Sequence, residues 1–109
     1  MEFSKSITDN KLTIHLTGDL DAQGCETLRG EFVTLAESPS FALVDIDLEH
    51  VDFIDSSGIG LVVFLFKKLR TQEVDLSIVN IHSQPLELIK LLRIESVITV
   101  TPLASSQIK

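Results

Sequence analysis

The sequence predicts an α/β fold, and three observations support this class. Two short apolar-alternating segments flank Asp9-Asn10, which indicates a pair of antiparallel strands joined by a turn. After residue 20, segments with helical spacing alternate with segments of period two. No repeat, linker or low-complexity tract interrupts this alternation. The predicted order is ββαβαβαβ, giving a mixed, mostly parallel sheet of four to five strands with the antiparallel pair at one edge.

The first three elements follow from the spacing of apolar residues. Strands are predicted over residues 3–7 and 11–16, because apolar and polar residues alternate there. A helix is predicted between Gly18 and the SPS sequence at 38–40, whose residues favour a loop. The residues that carry the two patterns are Leu12, Ile14 and Leu16 in the second strand and Leu28, Phe32 and Leu35 in the helix.

A third strand and a second helix are predicted in the middle of the chain. Residues 41–50 alternate between apolar side chains and acids, so the acids either face solvent or include one that a neighbouring helix terminus satisfies. Residues 58–70 contain strand-favouring side chains, but their length and their terminal Lys67, Lys68 and Arg70 favour a helix. Because this helix is apolar nearly all round, we expect it to be substantially buried.

The last part of the chain completes the alternation. A strand is predicted over 74–81 and a helix over 85–92, with Pro85 in its first turn and Ser83 as its cap. A final strand is predicted over 97–100, followed by a short tail at 101–109. The whole chain, residues 1–109, is expected to be a single domain.

Composition excludes several classes of partner. Sixteen acids against nine bases give a net charge of −7, which disfavours nucleic acid and anionic membranes. Trp and Tyr are absent, so no platform for stacking bases is predicted. Cys25 is alone, which excludes an internal disulfide and a thiolate metal site. No signal-like or membrane-spanning apolar run is found, so we expect a cytoplasmic protein without membrane insertion.

The sequence DSSGIG at 55–60 is the most unusual stretch, and it raises three possibilities. The first is a hydrolase nucleophile, which needs glycines two residues before and after the serine. Neither Ser56 nor Ser57 has them. His82 ends a strand and is able to reach the same sheet edge as Ser57, so an esterase-like Ser57–His82 pair is the alternative from the enzyme class. Neither an oriented base nor an oxyanion hole is visible.

The second possibility is a phosphate-binding loop or a metal site. The dinucleotide pattern requires glycine where Val63 stands, and the phosphate-loop pattern with lysine is absent. Nearby acids would repel a nucleotide. Asp19, Asp21 and Glu26 resemble a hard-metal cluster only in composition, and a solvated acidic turn accounts for them. We therefore expect no cofactor and no metal.

The third possibility is a serine that is itself modified. Ser56 and Ser57 fall where the second helix begins, so one of them is expected to cap it. Gly58 and Gly60 cost about 2 kcal/mol relative to alanine and are expected to expose the backbone of the first turn to a partner. A phosphate at this position would meet free amides and the positive end of the helix dipole.

These residues carry a family resemblance. DSSGIG at 55–60, after VDIDLEHVDFI and before an apolar helix, resembles the signature of STAS domains, especially bacterial anti-sigma factor antagonists. GDLD at 18–21 resembles the second landmark of that family. The likeness extends over nearly the whole chain and implies a STAS-like fold. The family's longer C-terminal helix is expected to be short or missing here.

The resemblance implies a non-catalytic, phosphorylation-controlled partner switch. It implies that a serine kinase with a histidine-kinase-like ATPase fold, often the anti-sigma factor itself, phosphorylates Ser56 and that a PP2C-type phosphatase reverses this. The unmodified form would bind the kinase or anti-sigma factor, and the phosphorylated form would be released. A stand-alone STAS subunit of a lipid transporter is the alternative within the family. Ser57 is expected to turn inward. The surroundings of the switch would be Asp55, Ser57, Gly58, Ile59, Gly60, Asp19 and Asp21.

Overall fold

The computed structural model describes residues 1–37 and 39–104, and within them it contains five strands and three α-helices in the predicted order. The elements are β1 (Glu2–Thr8), β2 (Lys11–Thr17), α1 (Ala22–Glu37), β3 (Leu43–His50), α2 (Ser56–Arg70), β4 (Asp75–Ile81), α3 (Ser83–Leu91), a 3₁₀ helix (Ile94–Ser96) and β5 (Thr99–Pro102).

The strands form one sheet in the order β1-β2-β3-β4-β5. β1 pairs with β2 antiparallel, and every later pair is parallel. Ile14, Ile46 and Ile78 stand in register across the three central strands. The mixed, mostly parallel α/β sheet with an antiparallel edge is therefore confirmed.

The core lies between one face of this sheet and the two longer helices. The alternating apolar residues of β2, β3 and β4 are buried together with those of α1 and α2, as their periods of two and 3.6 predict. These side chains form a single apolar cluster that fixes α1 and α2 side by side over the sheet. Its main members are Leu12, Ile14, Leu16, Leu28, Phe32, Val44, Ile46, Leu48, Leu61, Leu65, Leu69, Leu76 and Ile78.

The opposite face of the sheet carries a polar network around Asp47, the most buried charged residue within 1–37 and 39–104. Its Oδ2 atom lies 3.2 Å from Nδ1 of His15 and accepts a 3.2 Å hydrogen bond from Asn80. Its Oδ1 atom accepts a bond from the backbone N–H of Glu49, and the Nε2 atom of His15 lies 3.0 Å from Ser6 Oγ. Side chains on the neighbouring strands, rather than a helix terminus, thus supply hydrogen-bond partners for the buried Asp47 carboxylate of β3.

The apolar side chains of helix α2 are buried or partly buried, as the sequence predicts. Leu61, Val62, Leu65 and Leu69 face the core, but the aromatic side chain of Phe66 is only partly covered. Its cations Lys67, Lys68 and Arg70 lie in the last turn, as predicted. In the two described ranges, every helix is too short or too polar to traverse a lipid bilayer.

Two boundaries near the end of the chain differ from prediction. Ser83 does not cap α3: it is the first helical residue, the N-cap position is His82, and the Ser83 hydroxyl lies 2.8 Å from His82 Nδ1. The last strand is β5 at Thr99–Pro102, not 97–100, because the 3₁₀ helix and the buried Ile98 precede it. Residues 101–102 are therefore strand rather than tail. Ser38 and residues 105–109, from the predicted SPS loop and tail, lie outside the described residues.

Candidate functional site

Asp55, not a serine, caps the N-terminus of α2. Its backbone is extended (φ −117°, ψ −171°), and its Oδ1 atom accepts hydrogen bonds from the backbone N–H groups of Ser57 (2.9 Å) and Gly58 (3.1 Å). A carboxylate is suited to this position because it satisfies free amides and complements the positive end of the helix dipole. The predicted serine cap is wrong, and the capping function of DSSGIG belongs to its aspartate.

Ser56 and Ser57 are both exposed, in the first and second positions of α2. The expectation that Ser57 turns inward is therefore wrong. Because Asp55 performs the capping, the fold does not require either hydroxyl for that purpose. Ser56 lies directly beside the cap, at the positive end of the helix dipole.

Gly58 and Gly60 differ in what surrounds them. Gly58 is buried, and a Cβ atom there would overlap the carbonyl oxygen of Leu20 and approach Cγ1 of Ile54 to 2.7 Å. Gly58 thus allows a close approach within the chain rather than by a partner. Gly60 is exposed, and a Cβ atom there would have no neighbour within 4 Å. The predicted open backbone is present at Gly60 only.

Hydrogen bonds on two sides fix the loop that leads into α2. On one side, Leu20 forms an isolated parallel bridge with Ile54, because its N–H donates to Phe53 (2.9 Å) and its carbonyl accepts from Asp55 (3.3 Å). On the other side, the Gln84 side chain accepts from the Ile54 N–H (2.9 Å) and donates to the Ile54 carbonyl (3.0 Å). Leu20 and Gln84 are therefore site residues that no sequence pattern indicates. The bridge also brings GDLD to the DSSGIG segment.

The GDLD sequence at 18–21 leads into α1 with the same geometry that DSSGIG has at the start of α2. Asp21 Oδ1 accepts a 2.8 Å hydrogen bond from the N–H of Gly24, and a Cβ atom at Gly24 would overlap the carbonyl oxygen of Asp19. Asp21-x-x-Gly24 and Asp55-x-x-Gly58 thus share one arrangement, in which a capping carboxylate is followed by a glycine packed against a carbonyl oxygen. The N-termini of α1 and α2 therefore lie side by side, beyond the carboxyl ends of β2 and β3.

Cys25 lies buried in the first turns of α1, near both capping carboxylates. Burial raises the pKa of the Cys25 thiol above its ordinary value, and the negative charges of Asp55 and Asp21 raise it further. The positive charge of Arg29 opposes this shift in pKa. The thiol is therefore neutral at physiological pH, and its pKa depends on the charges of Asp55 and Asp21 at the starts of α2 and α1.

The alternative esterase-like pair is not formed. His82 Nε2 lies 2.8 Å from the carbonyl oxygen of Glu49 and Nδ1 lies 2.8 Å from Ser83 Oγ, so both ring nitrogens are engaged away from Ser57. A second row of side chains does resemble a hydrolase triad, because His15 lies within hydrogen-bond distance of Ser6 on one side and of Asp47 on the other. Ser6, which would be the nucleophile, is exposed, however, so bulk water would weaken the stabilisation of an oxyanion there.

The acidic residues at the start of α1 are not arranged as a metal site. Over residues 1–37 and 39–104, no group of three or more His, Cys, Asp or Glu side chains is placed to hold a metal ion. Asp19 and Glu26 are exposed, whereas Asp21 Oδ1 is occupied by the amide of Gly24. The local role of Asp21 is therefore helix capping.

The fold and the paired signatures agree with one family. The family model for the STAS domain matches residues 2–106. The chain belongs to the STAS domain family. The chain is 27% identical over 93 residues to an anti-sigma-B factor antagonist of Bacillus subtilis (strain 168), covering 85% of this chain and 84% of that protein.

Two solved structures have the same STAS fold. An anti-sigma factor antagonist from Mycobacterium paratuberculosis superposes with a TM-score of 0.84 at 18% identity, covering 96% of this chain and 88% of the other. The Bacillus cell fate determinant SpoIIAA in its phosphorylated form superposes with a TM-score of 0.72 at 21% identity, covering 91% and 90%.

Proposed function

We propose that this STAS domain is a phosphorylation-controlled, non-catalytic partner switch resembling an anti-sigma factor antagonist. In this proposal the unphosphorylated form binds a serine kinase or anti-sigma factor with a histidine-kinase-like ATPase fold. Phosphorylation of Ser56 releases that partner, and a PP2C-type phosphatase restores binding. The observation that carries the proposal is the exposed Ser56 hydroxyl at a helix start whose capping is already performed by Asp55.

The charge added by phosphorylation explains why the modification would act on a partner rather than on the fold. A phosphate adds about −1.5 to −2 charges at neutral pH. At Ser56 these charges would meet the positive end of the α2 dipole, which is favourable, and the carboxylates of Asp55 and Asp21, which is not. These effects oppose one another inside the chain. A partner surface matched to the neutral serine would face the full added charge and lose affinity.

The surface around Ser56 is suited to close contact with a partner. Gly60 is exposed with open space above its backbone, and Phe53, in the preceding loop, leaves 42% of its surface accessible. Exposed aromatic side chains next to bare backbone are typical of protein interfaces. In the proposal, Ile59, Ser57 and Asp19 complete this contact surface, and the buried Gly58 sets its shape.

Two relatives lend the proposal support. One curated relative is named as an anti-sigma-B factor antagonist, and SpoIIAA has been solved in a phosphorylated form. The counterpart of that modification in this chain is our assignment to Ser56. A cytoplasmic setting, in which such kinases have access to ATP, is part of the same proposal.

The decisive experiment combines mass spectrometry with binding. Wild type, Ser56→Ala and Ser57→Ala are incubated with the cognate kinase and ATP, and the phosphorylated residue is located by peptide mass spectrometry. We expect phosphate on Ser56 in wild type and in Ser57→Ala, and none in Ser56→Ala. Phosphate on Ser57 in wild type would overturn the assignment. Stable association with a membrane transporter, unchanged by Ser56→Asp, would instead favour the transporter-subunit alternative.

A further inference from the structure

An apolar groove lies along the C-terminal half of α2, away from Ser56. Its volume is about 430 Å³, within the range of ligand-binding clefts. A second depression of about 400 Å³ adjoins it and shares Phe66, Arg70 and Val97 with it. The first groove is lined by Val63, Phe66, Lys67, Arg70, Thr71, Val97 and Ile98.

The α2 residues in the groove form a second stripe on that helix. Positions 63, 66, 67 and 70 follow the spacing i, i+3, i+4, i+7, and the C-cap residue Thr71 continues it, which places all five on one face over about 12 Å. This stripe is separate from the core stripe of Leu61, Leu65 and Leu69. A groove between one helix face and a neighbouring segment, here Val97–Ile98, has the shape that another helix fills.

The rim of the groove is cationic although the protein is acidic. Lys67 and Arg70 stand on the stripe, and the Arg70 guanidinium lies 5.8 Å from the centroid of the Phe66 ring. With a net charge of −7, the chain would repel most acidic partners. Lys67 and Arg70 are the charged side chains that line this groove, whereas the acid Asp75 lines the adjoining depression. The helix dipole favours cations in the last turn of α2 but does not require them beside an apolar floor.

We propose that this groove binds the apolar face of an acidic amphipathic helix from a partner protein. Apolar side chains of that helix would lie on Val63, Phe66 and Val97, and its carboxylates would pair with Lys67 and Arg70. Phe66 is ten residues after Ser56, which places the groove about 15 Å along the helix axis from the switch serine. This surface is therefore distinct from the proposed Ser56 interface and does not depend on phosphorylation.

The proposal is tested with two synthetic helical peptides. Both carry leucines at i, i+3 and i+7; one has glutamates at the flanking positions and the other has lysines. We expect the acidic peptide to shift the backbone amide NMR signals of Val63, Phe66 and Val97, and the basic peptide not to. The double variant Lys67→Glu/Arg70→Glu should bind the acidic peptide about tenfold more weakly and gain binding to the basic one.

Two further variants separate the groove from general charge effects. Val97 is 61% exposed, so Val97→Asp should leave the fold intact and abolish peptide binding. Lys68 lies in the same turn but lines a different depression with Val33 and Ala36, so Lys68→Glu is the matched control and should leave binding within about twofold. Ser56→Asp should likewise bind the acidic peptide as wild type does.

Several outcomes would overturn this assignment. Equal binding of both peptides, or acidic-peptide binding that charge reversal does not change, would exclude recognition through Lys67 and Arg70. Binding of dodecanoate in the groove with no peptide binding would identify a small-amphiphile site instead. A self-associated form that Val97→Asp dissociates would show that a second copy covers the groove.

Discussion

Gly58 packs against the carbonyl oxygen of Leu20 so closely that a Cβ atom at residue 58 would overlap it. The contact joins the start of α2 to GDLD, beside the Leu20–Ile54 bridge. Gly24 makes the equivalent approach to the Asp19 carbonyl. The two signature sequences are therefore parts of one structural unit, in which each glycine lets a helix begin against the backbone of the GDLD segment.

The two glycines of DSSGIG should respond oppositely to alanine. Gly58→Ala forces the Leu20 segment away and should lower the free energy of unfolding by about 1–3 kcal/mol. Gly60→Ala has open space and should raise it by up to about 1 kcal/mol, since alanine favours the helix. Urea unfolding of both variants measures this, and a stabilised Gly58→Ala protein would contradict the contact.

Gly60→Ala also tests the proposed interface. If a partner approaches the bare backbone at Gly60, the added methyl group should weaken kinase binding while the fold becomes more stable. A titration of wild type and Gly60→Ala with the cognate kinase, run beside the urea curves, separates the two effects. Unchanged affinity in Gly60→Ala would place the partner contact elsewhere on the first turn.

Removing the Asp55 side chain, which caps α2, should lower the stability of the domain measurably, whereas removing the Ser57 hydroxyl should not. Asp55→Ala removes the acceptor for two backbone N–H groups and should cost about 1 kcal/mol of stability. Asp55→Asn keeps an acceptor oxygen and should recover most of that loss. Ser57→Ala should stay within about 0.5 kcal/mol of wild type, because its side chain is exposed. Equal losses in Asp55→Ala and Ser57→Ala would contradict the assigned cap.

The order of elements was predictable because each carries its own period. In β3, Val44, Ile46 and Leu48 alternate with acidic residues, which predicts that one face of the strand is buried. The structure buries that face. The prediction of a serine cap for α2 is wrong because Asp, Ser and Ser stand consecutively and all three are good caps. Only the backbone geometry at Asp55 distinguishes them.

Contacts between distant segments could not be predicted in this way. The side-chain amide of Gln84 forms two hydrogen bonds with the backbone of Ile54, thirty residues earlier in the chain. It pairs with Ile54 as the backbone of a neighbouring strand would. No local pattern encodes that pairing, because any exposed amide at a helix start has the same appearance in a sequence. The placement of Asp47 between His15 and Asn80 likewise depends on the register of three strands.

Phosphorylation of Ser56 should change binding much more than stability. The attraction to the α2 dipole and the repulsion by Asp55 and Asp21 oppose each other, so the net change in unfolding free energy should be below about 1 kcal/mol. For a domain of this size, that corresponds to a shift in Tm of at most about 4–8 °C. Thermal melts of the phosphorylated and unmodified protein measure this, with phosphatase-treated protein as the control. Unfolding of the domain on phosphorylation would show that the switch acts by melting α2.

Binding should follow the charge at Ser56 in a graded manner. Ser56→Asp adds one negative charge against nearly two for phosphate, so it should weaken kinase binding less than the phosphate does. Ser56→Ala should bind constitutively, because it accepts no phosphate. Pull-down with the cognate kinase before and after treatment with ATP measures both. Binding of Ser56→Asp and Ser56→Ala equal to that of unmodified wild type would contradict a switch based on charge.

Cys25 should make the stability of the domain depend on pH in the alkaline range. Burial, with the charges of Asp55 and Asp21, raises the pKa of the folded thiol above that of the unfolded chain. As pH rises through the unfolded pKa, the unfolded state loses its proton first, so the folded state becomes relatively less stable. Urea midpoints should therefore fall between about pH 8 and pH 10. The fall should be smaller in Cys25→Ala, which keeps every other titrating group, and equal slopes in the two proteins would show that the thiol ionises alike in both states.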